Sequence, residues 1–353
     1  MPKSSDAVEP APHAGSAAHP RAGADTRAGA DTLAGIGESA TLLRIFPRLP
    51  SSASALVGPG DDCAVLAAPD GRYVVTTDMM VHGPDFRLAW SSPHDLGWKA
   101  AASNLADVAA MGAVPTALLV AIAAPADTPV SVLEGIADGL RDGCLALAPG
   151  CGVVGGDLSV SSTMTVAVTA FGDLEGRAAV LRSGARPGDV VAVAGVLGAA
   201  AAALELLFRS GVDEKGVPDA ARALGLRAQT SAQLAPCPPI ELGAVASRAG
   251  ATAMLDLSDG LAIDSARLAR ASEVAIDFAS SALGGAALGE ASRHALSGGE
   301  DHSLLATFPA HVELPEGFRA IGICTTGAGI SVNGVAYDPA GWDPYREWNG
   351  AAG

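Results

Sequence analysis

The feature that most constrains how this chain can fold is the placement of its acidic residues, which recur beside glycines or where a predicted strand ends. Carboxylates at strand ends can converge on one cleft, where they repel one another unless cations neutralise them. Ligand sets made only of oxygen select Mg²⁺ or Ca²⁺ rather than zinc. The pattern therefore predicts a cleft that binds Mg²⁺ and a phosphorylated ligand. The acidic residues concerned are Asp62, Asp78, Asp107, Asp157, Asp256, Asp259, Glu300 and Asp301.

Taken one at a time, these residues have plainer explanations. An aspartate after a glycine is usually a turn or cap residue. Asp107 lies in the small apolar stretch NLADVAAMG, where a carboxylate either faces water or serves a site, and the sequence leaves both open. The spacing from Asp256 to Asp259 suggests a calcium loop, but it does not match the spacing of an EF-hand.

The net charge limits which kinds of partner the protein can bind. The chain of 353 residues carries a formal net charge of -16, so it offers no basic surface for nucleic acid or for an anionic membrane. A phosphorylated substrate would need bridging cations. No apolar run approaches the roughly 20 residues that span a bilayer, and no signal-peptide pattern begins the chain.

Familiar catalytic motifs are missing from the sequence. There is no G-x-x-x-x-G-K-[ST] loop, no protein-kinase signature and no G-x-S-x-G elbow. The five cysteines form no C-x-x-C pair, so zinc is not expected, and free thiols favour a cytoplasmic location. The seven histidines show no partner spacing and are expected mostly on the surface.

Composition and periodicity divide the chain into three parts. Residues 1–36 carry a tandem RAGADT repeat and no large apolar cluster, which predicts a disordered low-complexity tail. We predict an N-terminal domain over 37–174 and a C-terminal domain over 175–353. Predicted helices cover 93–111, 128–147, 199–208, 240–249 and 261–271. Predicted strands cover 73–77, 153–154, 163–170, 190–194, 253–257, 274–278, 303–308 and 330–336, whereas 210–238 is predicted to be irregular.

An ordered series of motifs resembles the thiamine-monophosphate kinase family over about residues 37–345. The motifs are GPGDDCAVL, VVTTDMMVHG, DLGWKAAASNLADVAAMGA, VVGGDLS, LRSGARPGD, LDLSDG, LSGGED and GWDPY. The resemblance implies an α+β fold of two mixed α/β domains, like aminoimidazole ribonucleotide synthetase, with a homodimer formed through the N-terminal sheet. It also implies transfer of the γ-phosphoryl group of ATP to thiamine monophosphate, with several Mg²⁺ ions and no membrane or nucleic-acid partner.

The same resemblance implies a role for individual residues. Positions matching the family's magnesium ligands are Asp62, Thr76, Thr77, Asp78, Asp107, Asp157, Asp256 and Asp259. Nucleotide contacts match Gly156, Asp157, Arg182 and Ser258, and substrate contacts match Asp85, Glu300 and Trp342. Two positions depart from the family pattern: Asp85 stands where a histidine is usual, and GGEDHSL replaces the usual GGEDYEL.

Phosphoryl transfer of this kind needs no general base, because a phosphate monoester has a second pKa of about 6 and is mostly dianionic at neutral pH. Arg182 is the expected positive side chain on the phosphates, and Trp342 is expected to face the thiazolium cation. Two alternatives stay open at this point. One is another ATP-using member of the superfamily, of the aminoimidazole ribonucleotide synthetase or hydrogenase-maturation type, and the other is a non-catalytic nucleotide-binding protein.

Overall fold

The computed structural model describes residues 31–57, 64–283 and 290–339. Within these ranges, no helix combines the length and the apolar character that crossing a bilayer requires.

The first half of the described chain builds a four-stranded sheet covered by helices. Its strands run in the order β3-β6-β4-β5, with β4 and β5 parallel and the other pairs antiparallel. A separate antiparallel pair, β1 with β2, precedes the sheet in the chain. The elements of this half are α1 (Leu33–Ile45), β1 (Ala55–Val57), β2 (Val65–Leu66), β3 (Val74–Val81), α2 (Pro93–Ala110), β4 (Val114–Ala124), α3 (Val130–Leu147), β5 (Gly152–Val160) and β6 (Thr165–Asp173).

The second half builds a seven-stranded sheet in the order β13-β12-β9-β11-β7-β10-β8. Only β9 and β12 pair in parallel there. Its elements are β7 (Val190–Ala194), α4 (Ala199–Ser210), α5 (Ala220–Leu234), α6 (Glu241–Arg248), β8 (Ala253–Leu257), α7 (Leu261–Ser272), β9 (Ala275–Phe278), α8 (Glu290–Ser297), β10 (Ser303–Phe308), β11 (Phe318–Thr325), β12 (Gly329–Val332) and β13 (Val335–Tyr337). The mixed α+β class expected from the sequence is confirmed.

Helix α2 is the element that connects the two sheets. Ser92 caps it with a complete capping box to Asp95, Pro93 occupies its first turn, and Gly112 follows its end with a φ of 75°. The helix packs against β3 and β6 on one side and against β8 and β10 on the other. One apolar core consequently contains Leu105 of α2 together with residues from both sheets. Side chains on α2 can therefore serve a site that the two sheets share.

Close packing of α2 on α3 depends on glycine. A Cβ atom on Gly97 would lie 2.0 Å from the carbonyl oxygen of Ile136, and one on Gly139 would lie 2.0 Å from that of His94. The two backbones approach this closely only because neither position carries a side chain.

Several predicted elements differ from those observed. The segment 210–238, predicted to be irregular, contains the helix α5, which Asp219 caps through a hydrogen bond from Arg222 N. Strand β11 was not predicted, and the strand predicted over 330–336 is a hairpin that turns at Asn333 and Gly334, both with positive φ. The strand predicted to end before Gly155 continues through Asp157 to Val160.

The first described helix also begins earlier than predicted. Helix α1 begins at Leu33, inside the segment predicted to be a tail, because Thr32 caps it and Asp31 pairs with Arg44. Gly37 breaks this helix with a φ of 78°. The domain boundary between residues 174 and 175 stays a prediction.

Candidate active site

Three aspartates from different elements approach one another where α2 faces the ends of β3 and β8. Asp78 lies on β3, Asp107 near the end of α2, and Asp256 on β8. Asp78 is in register with Val168 and Val120, both buried under α2, so its side chain leaves from the same sheet face that α2 covers. We call Asp78, Asp107 and Asp256 the carboxylate cluster.

Burial and electrostatic repulsion within the cluster both affect the pKa of Asp107. Burial, the charge of Asp256 and, more weakly, that of Asp78 together raise the pKa of Asp107 to about 6. A hydrogen bond of 3.0 Å from the hydroxyl of Thr76 to Asp107 Oδ2 only partly offsets this. The carboxylate cluster therefore carries more negative charge than its surroundings neutralise.

A histidine that directly precedes β10 contacts the cluster. His302 is buried, and its Nδ1 lies 3.4 Å from Asp256 Oδ2. Burial alone would lower the pKa of His302, but Asp256 and Glu300 more than offset that effect and raise it. The expectation of a surface position was wrong for this histidine, because the strand pairing of β10 with β8 carries it inward.

Two glycine-rich loops support the cluster from the second sheet. The loop after β8 contains Ser258, whose carbonyl accepts a 2.8 Å hydrogen bond from the N–H of Glu300 in the loop before β10. A Cβ atom on Gly299 would lie 2.5 Å from that same carbonyl oxygen, so only glycine allows the loops to meet. Glu300 itself has a φ of 65°, a left-handed conformation that this packing enforces.

Next to the cluster lies a cavity of about 550 Å³. Its walls combine apolar and aromatic side chains with a few charged groups, which is the usual make-up of a small-molecule site. Its lining includes Asp85, Trp90, Lys99, Phe208, Gln233 and Glu300. We call this cavity the aromatic pocket.

An ion pair between a buried lysine and a half-buried glutamate forms one wall of the aromatic pocket. Lys99 of α2 places its Nζ 2.8 Å from Glu300 Oε2, and the amide of Gln233 on α5 donates to the same oxygen. Burial would raise the pKa of Glu300, but the charge and hydrogen bond of Lys99 and the hydrogen bond of Gln233 hold it below its usual range. Glu300 is therefore an anion at neutral pH.

Asp85 connects the pocket with the cluster. Its Oδ2 accepts a 2.7 Å hydrogen bond from the N–H of Val81 at the end of β3. Burial raises the pKa of Asp85, and the charges of Glu300 and Asp78 add to that rise. Asp85 thus faces an anion of the pocket and an anion of the cluster at once.

The aromatic side of the pocket is built around one guanidinium group. The guanidinium of Arg87 lies 4.6 Å and 4.7 Å from the ring centroids of Trp90 and Phe208, which pack edge to face with their own centroids 5.0 Å apart. The indole N–H of Trp90 donates to the carbonyl of Gly211 at 2.8 Å, which fixes the ring. Cation–π contacts with both rings hold the guanidinium in place.

Comparisons with known proteins agree with this geometry. Residues 60–174 match the family model described as AIR synthase related protein, N-terminal domain. A thiamine-monophosphate kinase of Mycobacterium tuberculosis (strain CDC 1551 / Oshkosh) is 43% identical over 324 residues, or 88% of this chain and 92% of the relative. The chain belongs to the thiamine-monophosphate kinase family.

Solved structures of thiamine-monophosphate kinases share the fold. The crystal structure of the enzyme from Aquifex aeolicus superimposes with a TM-score of 0.67 at 33% identity, covering 77% of this chain and 91% of that one. The structure of AaThiL complexed with AMPPCP and TMP superimposes with a TM-score of 0.66 at 33% identity, covering 76% of this chain and 86% of that one. The family resemblance seen in the motifs is confirmed.

Among the residues that match the thiamine-monophosphate kinase site, the fold brings one group together. Thr76, Asp78, Asp107 and Asp256 lie at the carboxylate cluster, and Asp85 and Glu300 line the aromatic pocket. Asp62 and Trp342 lie outside the described residues.

Other matched residues are placed differently in the structure. Thr77 donates to the carbonyl of Val168 and accepts from Thr169 on the opposite sheet face from Asp107. Asp259 pairs with Arg267 at 2.6 Å. Arg182 is exposed and does not line the aromatic pocket.

The glycine-aspartate pair of β5 lies across the sheet from β3. Gly156 lies in the register row of Asp78, where a Cβ atom would meet the backbone of Val120 at 1.8 Å. Asp157 is exposed one position further along, and no hydrogen bond or ion pair joins its side chain to another described residue. The roles assigned to Gly156 and Asp157 by resemblance stay predictions.

Four residues of the site were not singled out from the sequence. Lys99 and His302 lie within quoted motifs, but nothing in their spacing shows that they contact Glu300 and Asp256. Gln233 lies in the segment predicted to be irregular. Asp264 accepts the N–H groups of Asp259 and Gly260 at 3.0 and 3.1 Å and so shapes the turn that carries Ser258.

Whether the site suits a metal ion depends on its donor set. In the part of the chain that the structure describes, no three His, Cys, Asp or Glu side chains stand close enough to form a cage around one ion. Mg²⁺, however, is typically held by one or two carboxylates, with waters and substrate phosphates completing its shell. The all-oxygen, self-repelling donor set of Asp78, Asp107 and Asp256 fits that requirement.

Proposed function

We propose that this protein transfers the γ-phosphoryl group of ATP to the phosphate of thiamine monophosphate in a Mg²⁺-dependent, in-line reaction that yields thiamine diphosphate and ADP. The observation that carries the proposal is the adjacency of the carboxylate cluster and the aromatic pocket, with Asp85 facing both. The relatives named as thiamine-monophosphate kinases support it, as does the related structure holding AMPPCP and TMP.

The aromatic pocket suits the ring end of the substrate. Thiamine phosphates carry a thiazolium cation and an aminopyrimidine ring, which favour anionic and aromatic neighbours. Glu300 and Asp85 supply carboxylates, while Trp90 and Phe208 supply ring surfaces. Asp85 replaces the histidine usual in the family, and a carboxylate at this position favours a cationic ring at least as well.

The carboxylate cluster suits the phosphate end. Asp78, Asp107 and Asp256 would hold Mg²⁺, which, when bound, neutralises the charge of the phosphates and stabilises the transition state of transfer. Thr76 orients Asp107 through its hydroxyl, and His302 orients Asp256. Asp62, Thr77, Asp157 and Asp259 are further candidate ligands by resemblance.

No general base is required for the reaction. The attacking group is a phosphate monoester whose second pKa is about 6, so its oxygen is already deprotonated at neutral pH. The protein's task is to neutralise two polyanions and to hold them in line. Through the two loops that meet at Ser258 and Glu300, the second sheet contributes residues to both the carboxylate cluster and the aromatic pocket.

The experiment that tests the proposal measures ADP release in a coupled assay with ATP, Mg²⁺ and thiamine monophosphate, and identifies the product by chromatography. We expect formation of thiamine diphosphate that stops when EDTA removes Mg²⁺. Thiamine, which lacks the acceptor phosphate, serves as the comparison substrate. A folded protein that binds ATP but releases no ADP with thiamine monophosphate would refute the proposal.

A second copy of the chain is the partner that we propose for the open face of the four-stranded sheet. Val75 and Met79 of β3 are 59% and 57% exposed on the face turned away from α2. Apolar side chains exposed on a sheet face are typical of an interface. We expect a homodimer in sedimentation velocity and expect Met79→Asp to shift it towards monomer. A wild-type monomer at all concentrations would contradict this assignment.

A further inference from the structure

Lys99 occupies the junction between the two halves of the site. It lies on α2, about two helical turns before Asp107, and it lines the aromatic pocket. Its side chain is 6% exposed. A phosphorylated ligand with its ring in the pocket and its phosphate at the cluster has to pass this position.

The ammonium group of Lys99 has unused hydrogen-bonding capacity. An ammonium carries three N–H donors, and among the described residues only Glu300 accepts one of them. Because buried donors are rarely left unpaired, the remaining N–H groups are available to a ligand in the pocket.

The other cations that line the pocket are engaged elsewhere. Arg87 is held against the rings of Trp90 and Phe208. Arg293 pairs with Glu205 at the rim, and its side chain is 64% exposed. Of the positive side chains described along the pocket wall, Lys99 is the buried one that faces the cluster.

We propose that Lys99 binds the phosphate group of the phosphorylated substrate, so that the pocket discriminates a phosphate monoester from the corresponding alcohol. This inference rests on the proposed function, because it takes thiamine monophosphate as the substrate. Lys99 would keep its contact with Glu300 while its free N–H groups donate to phosphate oxygens. The nucleotide contact predicted for Arg182 is a separate role and stays a prediction.

The competing explanation is that Lys99 acts only by holding Glu300 in place. The two explanations differ in one measurable quantity, which is the affinity that the phosphate group adds to the ring. That quantity is the ratio of the dissociation constants of thiamine and thiamine monophosphate, measured by calorimetry in Mg²⁺ without ATP. A residue that acts only through Glu300 changes both constants equally and leaves the ratio unchanged.

The test compares this ratio in the wild type, Lys99→Met and Lys99→Arg. Loss of one charge-assisted hydrogen bond should lower the ratio in Lys99→Met by about 10- to 100-fold, and Lys99→Arg should restore part of it. Thiamine lacks the phosphate, so its dissociation constant should change by no more than about twofold, apart from any loss through Glu300 that thiamine and thiamine monophosphate share. The matched control is Lys215→Met, an exposed lysine outside the pocket.

Lys99→Met leaves the half-buried Glu300 without its partner, so a second pair of variants protects the test from misfolding. Glu300→Gln and the double variant Lys99→Met/Glu300→Gln both lack the Glu300 anion, and the same fall in the ratio is expected between them. An unchanged ratio in both pairs overturns the inference. Normal thiamine diphosphate formation with an unchanged ratio leaves the proposed function intact, whereas a lowered ratio without any turnover overturns the function and keeps the phosphate contact.

Discussion

The carboxylate cluster and the wall of the aromatic pocket use the same residue types with opposite electrostatic outcomes. In the cluster, burial and the charges of Asp256 and Asp78 raise the pKa of Asp107 to about 6. In the pocket wall, Glu300 is half-buried beside Lys99, which holds its pKa below its usual range. The pocket carries its own counter-charge and is organised before ligand arrives, whereas the cluster needs cations from outside. Under the proposed function, we therefore expect the cluster to bind the phosphates together with metal ions and the pocket to bind the ring.

The largest expected effect comes from neutralising the cluster. Asp107→Asn should lower kcat on the order of 10³-fold, because it removes a carboxylate where transition-state charge is stabilised. The same change should leave the melting temperature without Mg²⁺ unchanged or higher, since it relieves repulsion. Steady-state kinetics and thermal melting measure the two effects. Asp127→Asn, an exposed carboxylate outside the cluster, is the control. Equal losses of activity in both variants would remove Asp107 from the site.

The next effect concerns how the pocket is assembled. Asp95 is fully buried, and Arg227 of α5 pairs with it through both guanidinium nitrogens. Burial alone would raise the pKa of Asp95, but the bonds from Arg227 and Ser92 lower it. Arg227→Met should reduce the free energy of unfolding by about 2–4 kcal/mol, because it strands a buried charge.

The same variant should also raise KM for thiamine monophosphate, since α5 carries Gln233 to the pocket. Urea denaturation and kinetics measure the two quantities. Arg222→Met, on the exposed side of α5, is the control. A stability equal to that of the control would show that the Asp95 pair does not hold α5.

A smaller effect is expected from pH. Burial raises the pKa of Asp264 to about 6, above its ordinary value of 3.8. The folded state therefore binds more protons than the unfolded state between about pH 4 and 6, and stability should fall as pH rises through this window. In Asp264→Asn, the decrease in the free energy of unfolding with rising pH should be smaller by about 1–2 kcal/mol. Urea unfolding at pH 5 and 7.5 in EDTA measures it, and parallel pH profiles for the two proteins would contradict the assignment.

The smallest effect is expected on the aromatic side of the pocket. Phe208 is half-exposed and covers one face of the Arg87 guanidinium. Phe208→Ala should raise KM for thiamine monophosphate by about two- to fivefold with little change in kcat, which corresponds to one partly solvated cation–π contact. Leu224→Ala, at an exposed position on α5, is the control. A change in kcat larger than the change in KM would place Phe208 in the transfer step instead.

Local sequence determined many of the elements because their signals are local. The strands predicted over 190–194, 253–257 and 303–308 have the observed bounds, since β-branched and leucine runs between turn residues define them. The capping box at Ser92 and the glycine at 112 define α2 equally well. Helix α5 was missed because its face is weakly apolar, and what stabilises it is tertiary contact through Arg227 and Gln233.

The sequence by itself determined which chemical groups the chain contains. These are oxygen ligands beside glycines, an acidic net charge that requires cations, and the ordered motifs of a family. Tertiary structure decided which of those groups meet. It joined Lys99 to Glu300 across 201 positions and His302 to Asp256 across 46. It paired Thr77 with Val168 and Asp259 with Arg267, and it left Arg182 exposed. The reason is that helix and strand periodicities specify the face a residue occupies, whereas contact between faces depends on packing of α2 between two sheets.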